Sequence, residues 1–445
     1  MAFLACRKPD EISADQNIKL SFSNDTVLFD TVFTAVGSTN KRIRVYNPHA
    51  QAILISDIRL SGGQSSNFSL IINGEPVNQK SQLKLDGMDS ISIFIKVLIN
   101  PNNLSLPFIV QDSILFNTNG NLQSVQLLAY GQNAVFVNDQ LISSNTNWNS
   151  ELPYIIYKSV TIAPEVSLRI QEGTRILFHH QARMRIRGSL RVEGSAAKPV
   201  LFAGDRMENF YADEAGQWNG LHFYSSSRNS SLQYATIKNA VIGITADSLS
   251  TDGTAKVMLN NLQIKNMSIA ALAGYGTQIV AFNNLFYNCG QYLIYGVGGG
   301  SYNLKQNTFA GYNPGFNRKN PALYLTNKLS TGLSRPLYTE IVNNIIWGSQ
   351  IEEFMLEQQG NTSMNATIKN NLIKTTMLAY TGNNNLLNMD PIFAQPTKFD
   401  FSLSANSPAY LKGADLSADP YFNRYLNKDL NGNIRSSSAT IGCFE

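Results

Sequence analysis

Charge is scarce in this 445-residue chain: Asp, Glu, Lys and Arg make up 15% of it, and 35 basic against 31 acidic residues leave a net charge of only +4. There is no Lys/Arg run and no recognition motif, so nucleic acid is not an expected partner. Cysteine is equally sparse. Cys6, Cys289 and Cys443 form neither a disulfide framework nor a metal-ligand spacing, which leaves Cys289 and Cys443 as buried thiols or, alternatively, as a single bridge. No stretch approaches the ~20 apolar residues of a membrane-spanning helix. Between Val257 and Phe309 there is no Asp or Glu at all. That gap speaks against an acidic catalytic groove on the central part of the chain.

What is present instead is a repeat. An apolar residue, an amide pair and a further apolar residue recur as Leu259–Leu262, Phe282–Leu285, Leu304–Asn307, Val342–Ile345 and Ile368–Leu372. The second amide falls at Asn261, Asn284, Asn307, Asn344 and Asn371, at intervals of 23, 23, 37 and 27 residues. Units of this length, rich in Ile, Val, Tyr, Phe, Thr and Asn, predict stacked coils of short strands. Each Asn would then donate to the Asn of the next coil, giving a structural ladder without a catalytic role. The widest interval holds an insertion from Tyr312 to Leu337, and such loops commonly mark a binding face.

Upstream the pattern changes. Residues 1–18 stand apart, polar and without periodicity from residue 7 onward, and suit a tether. From residue 19 to 134 alternating strands are expected at Lys19–Phe22, Val27–Phe33, Lys41–Tyr46, Ala52–Leu60, Phe68–Ile72, Ser90–Val97, Val110–Asn117 and Ser124–Gly131. That spacing predicts a β-sandwich. Residues 135–445 carry the solenoid, so the chain is expected to be all-β.

Four resemblances add to this. Asp30–Phe33, Val36–Ser38, Val45–Pro48 and Leu128–Gly131 resemble the immunoglobulin-like domain of the HYDIN/abnormal-spindle type, which implies a spacer or adhesion module. The succession from Val160 to Phe178, with turns at Pro164 and Gly173, and then Trp218 to Phe223, resembles right-handed parallel β-helix proteins of the pectate-lyase-like superfamily. The tail from Asp390 through Asp429 to Gly442 looks like the C-terminal cap of secreted members of that group. Phe3, Leu4 and Ala5 before Cys6 resemble the end of a bacterial lipoprotein signal, which implies acylation of Cys6 and a surface-exposed outer-membrane location.

Candidate binding residues follow from charge and aromaticity. Arg183, Arg185 and Arg187 alternate with Met184 and Ile186 and should project from one outer face, with Arg169 and Arg191 on adjacent coils, suited to anionic sugars or lipid head groups. Arg175 belongs to the same run. Aromatic residues on the repeats, among them Tyr275, Tyr292, Tyr295, Tyr302, Tyr312 and Trp347, could stack on sugar rings, while several would be core. Asp205, Asp213 and Glu214 are the weak candidates for holding a metal, calcium being the one cofactor the composition would suit. His179, His180 and His222 have no partner at metal spacing. The expected function is a non-catalytic binding or scaffold protein for a glycan or an envelope partner. The alternatives are a polysaccharide lyase or glycosidase, implied by the superfamily resemblance, and a structural subunit of an outer-membrane assembly.

Overall fold

In the computed structural model, residues 11–102, 107–329, 332–436 and 439–445 are described. Cys6 lies outside them. The chain forms two compact units, Met1–Ala134 and Val135–Glu445.

The first unit packs two five-stranded sheets. One runs Ser21–Phe22, Lys41–Tyr46, Ser90–Val97, Phe68–Ile72, Glu75–Pro76; the other Thr26–Phe33, Asn121–Gln132, Phe108–Thr118, Ile53–Leu60, Gln79–Leu85. Pairing is antiparallel except where Asn121–Gln132 lies parallel to Thr26–Phe33. Alternation sets the core: Ile43 and Val45 are buried while Arg42 and Arg44 face out. Gln79–Leu85 escaped the sequence reading because it is a polar edge strand with only Leu85 buried.

The second unit is a parallel β-solenoid with three walls. The first wall is an eleven-stranded sheet running from Val135–Val137 to Leu386–Leu387. A sixteen-stranded sheet makes the other two. It folds over itself where Ala270–Phe282 and Tyr292–Lys305 are long enough to serve both walls, and the bends fall at glycines with positive φ, Gly276 and Gly298–Gly300. Its leading limb, the second wall, holds Arg183–Ile186, Leu221–Phe223, Ile242–Asp247, Leu323–Thr326 and Phe354–Glu357. The third wall holds Ser167–Gln171, Ser189–Glu193, Ser230–Gln233, Val257–Asn260, Leu337–Val342 and Met364–Lys369. Inward columns stack like on like; Val160, Met184, Leu221, Ile244, Leu272, Ile294, Leu323 and Phe354 stand in register and are all fully shielded.

The amide pairs form two columns, not one. Asn284 Nδ2 donates to Asn307 Oδ1, Asn307 to Asn344, Asn344 to Asn371 and Asn371 to Asn385, over 2.9–3.1 Å. Register places Leu262 against Asn284, and Asn261 one position earlier, so Asn261 is not a rung. Its amide donates to the Asp429 carbonyl at 2.6 Å. Asn261 heads the neighbouring column with Asn283, Gln306, Asn343 and Asn370, all with φ between 51° and 59°. One amide of each pair turns the chain, and the other joins the coils.

The C-terminal segment does not stop at the end of the solenoid but runs back along it. Phe393, Phe401, Ala409, Leu430, Ile441 and Cys443 cover Leu285, Tyr287, Ala310, Ile345, Trp347 and Leu372 on the outside of the first wall. Leu416, Tyr421 and Leu426 cover Val280, Phe282 and Val342 on the third. Polar ties fix this cover: Lys305 pairs with Asp419 at 2.5 Å, and the buried Arg435 donates to Asn283 Oδ1 at 3.0 Å.

Candidate functional site

With two walls of the central coils covered, the outer surface of the second wall stays open. Register builds one outward column from Arg185, His222, Thr245, Ala273, Tyr295 and Tyr324, and a second from Tyr224, Asp247 and Tyr275. Outward residues of one strand are two apart, and successive coils rise by ~4.8 Å, so these side chains form a continuous stripe about six coils long.

The stripe is tied together laterally. His222 Nε2 lies 2.7 Å from Asp247 Oδ2, and its ring stacks on Tyr224 at 4.0 Å. The Arg187 guanidinium sits 5.5 Å from the Tyr224 ring centre. Tyr295 contacts Tyr292 at 4.8 Å and stacks with Tyr324 at 5.7 Å, while Tyr275 meets it edge-on at 6.5 Å. Tyr324 donates to Glu357 Oε2 at 2.7 Å; partial burial and this carboxylate push its phenol well above the usual tyrosine range. Burial also raises Tyr275, with smaller contributions from Tyr295 and Asp247. Beneath the stripe, the fully shielded Lys256 ammonium donates to the carbonyls of Ser225 and Ser227 at 2.9 and 2.6 Å and so holds the turn that follows Tyr224. Desolvation lowers its pKa.

A second recess of 410 Å³ lies at the loop leading into Trp218. His179 Nδ1 approaches Asp205 Oδ2 at 2.7 Å, and burial raises the Asp205 carboxyl against the opposing pull of His179. Asp213 instead accepts from Asn266 at 2.9 Å, while the Glu214 carbonyl accepts from Gln217 and Asn239. Asp205 and Asp213 thus have separate partners, and no group of three or more His, Cys, Asp or Glu able to hold a metal exists among the described residues.

The arginines divide among all three walls because a four-residue strand is followed by a turn onto the next wall. Arg183, Arg185 and Arg187 belong to the second wall; Arg169 and Arg191 are paired in register on the third, where Arg169 binds Glu193 at 2.5 Å; Arg175 is on the first. They are not one patch. Tyr302 and Trp347 are not ligand-facing either. Tyr302 fills the interior with its hydroxyl 3.5 Å from the Gly274 carbonyl, and Trp347 lies under the C-terminal segment with Lys374 over its ring. The sequence reading missed Asp247, Tyr224, Tyr324 and Glu357. Aligning Leu221–Phe223 on Ile242–Asp247 would have put His222 and Asp247 on one face.

No protein-family model matches the chain, and no curated protein matches it. Among solved structures, partial likeness is found to a family 123 glycoside hydrolase from Clostridium perfringens, with a TM-score of 0.20, 12% identity, and 29% of this chain and 30% of that one covered. The Vibrio cholerae VesB protease gives 0.19, 12%, and 25% and 31%. A protein of unknown function from Porphyromonas gingivalis W83 gives 0.18, 13%, and 28% and 60%. This chain spans under two thirds of each, and at such scores the likeness carries no argument about fold or function.

Proposed function

We propose that the solenoid binds a glycan along its second wall without cleaving it. The observation that carries this reading is the open stripe of Tyr275, Tyr292, Tyr295 and Tyr324 beside His222, Asp247 and Arg187. Aromatic faces offer rigid stacking area for pyranose rings, and the polar edges offer hydrogen bonds to hydroxyls. The carboxylates of the stripe, Asp247 and Glu357, stand four coils apart in register, about 19 Å at the ~4.8 Å coil rise. Paired glycosidase carboxylates need at most about 9.5 Å. The apolar flank that a structural subunit would offer to a neighbour is occupied by the chain's own C-terminal segment. We read the N-terminal sandwich as an immunoglobulin-like spacer, the solenoid as one of the pectate-lyase-like β-helices, and Cys6 as the lipid anchor that would place both at the outer membrane.

Affinity electrophoresis of the full chain against a polysaccharide panel tests the binding. Tyr295→Ala and Tyr324→Ala should each weaken retention about tenfold or more, as truncation of central interface aromatics does. Release of reducing ends, abolished by His222→Ala, would establish catalysis through the His222–Asp247 couple instead. Retention by no member of the panel would sink the glycan reading.

A further inference from the structure

Beside the stripe the sheet bends between the second and third walls, and a cavity of about 690 Å³ opens there. Its size lies within the ~300–1,000 Å³ range of small-ligand pockets. Gly276, Gly298 and Gly300 are part of its lining, with φ of 56°, 77° and 105°, conformations that glycine enters freely. A Cβ at Gly300 would stand 2.0 Å from the Thr277 carbonyl oxygen, and one at Gly298 2.5 Å from the Leu329 side chain. The cavity adjoins the stripe directly through the chain, since Tyr275 precedes Gly276 and Asp247 precedes Ser248, which is itself part of the lining.

Its wall has one cation. Arg335 lies across the bend, its Nη1 3.1 Å from where a Gly276 Cβ would be, and among the described residues no carboxylate pairs with it. Around it stand an apolar side chain, Leu249, a tyrosine ring, Tyr338, each at least half exposed, and the neutral polar groups of Gln278 and Ser301. An exposed guanidinium with donors to spare favours a carboxylate or a sulfate, which it can engage with two parallel hydrogen bonds. Leu249 and Tyr338 suit the ring that carries such a group.

Resting on the glycan reading, we infer that this corner cavity takes an anionic substituent of the bound glycan, a carboxylate- or sulfate-bearing side group held by Arg335, while the backbone of the glycan lies on the tyrosines. The lining continues from Asp247 and Tyr275 along their strands, across the run of the stripe, so the cavity reads a branch and not the next unit of the main chain.

Titration of the full chain with paired polysaccharides tests this. Xylan against glucuronoxylan varies a carboxylate branch, and galactan against its sulfated form varies a sulfate. One substituted member should bind at least tenfold more tightly than its partner, with a preference that shrinks as salt is added. Arg335→Gln should abolish that preference and leave the unsubstituted member unaffected. Leu249→Glu, which adds a carboxylate to the lining that holds Arg335, should do the same. Tyr295→Ala should weaken both members. Equal binding within every pair, or a preference that survives Arg335→Gln, would overturn the anionic-branch site while leaving glycan binding intact. Binding to no polysaccharide would overturn both.

Discussion

Asn370 and Asn371 are sequence neighbours with different tasks. Asn370 turns the chain at φ 51°, and its side chain makes one exposed bond, to the Lys412 carbonyl at 3.2 Å. Asn371 donates to the carbonyls of Ile341 and Lys369 and to Asn385, and it accepts from the backbone and side-chain amides of Asn344. Asn370→Gly should therefore shift stability by less than about 1 kcal/mol, because glycine enters the left-handed region freely. Asn371→Gly should cost about 3 kcal/mol, since it strands buried donors. Urea midpoints of the two variants decide it, and equal costs would refute the two-column assignment. The buried thiols give a pH prediction. Burial pushes both Cys289 and Cys443 up to about 12, so the fold keeps their protons. A raised pKa contributes stability below the ordinary thiol value and loses it as pH climbs from there towards about 12. Between near pH 8 and about pH 10.5, the urea midpoint of the native chain should fall further than that of Cys443→Ala.

At the scale of elements, the insertion between Tyr312 and Leu337 is held at its base by a buried ion pair. Arg318 Nη1 and Nη2 each donate to Glu353 at 2.7 Å, and the same carboxylate accepts from the backbone amides of Ala322 and Gln350. Both side chains are essentially inaccessible. Glu353→Gln should cost about 3–5 kcal/mol, because it leaves a buried guanidinium without its counter-charge. Limited proteolysis should then cut between residues 313 and 320. A cleavage pattern identical to that of the native chain would contradict this. The sequence reveals that an insertion exists through its proline and glycine content, but not this clamp, whose partners are 35 residues apart. The merged strands Ala270–Phe282 and Tyr292–Lys305 were hidden for a related reason: glycines that read as breaks are here the hinge that carries one strand onto two walls.

At the scale of the whole molecule, the C-terminal segment decides what the solenoid exposes. Amides of the coils between Val257 and Phe309, wrapped on two walls, should exchange with deuterium most slowly, and those of the first coil, 135–148, fastest. Uniform protection along the solenoid would argue against that role. The same cover accounts for the missing acids on two walls between Val257 and Phe309: outward positions such as Val280, Phe282, Leu285 and Tyr287 are buried under the segment, where an unpaired carboxylate would be desolvated. On the open second wall the same stretch carries tyrosines instead. The sequence by itself determined the β class, the stacked coils and the inward columns, because alternation and repeat length are local properties of the chain. Only the tertiary structure decided which outward residues meet solvent, that Tyr302 and Trp347 do not face it, and that His222 meets Asp247. Those outcomes depend on the register between coils and on a segment folding back over walls formed more than a hundred residues earlier, contacts that no local pattern encodes.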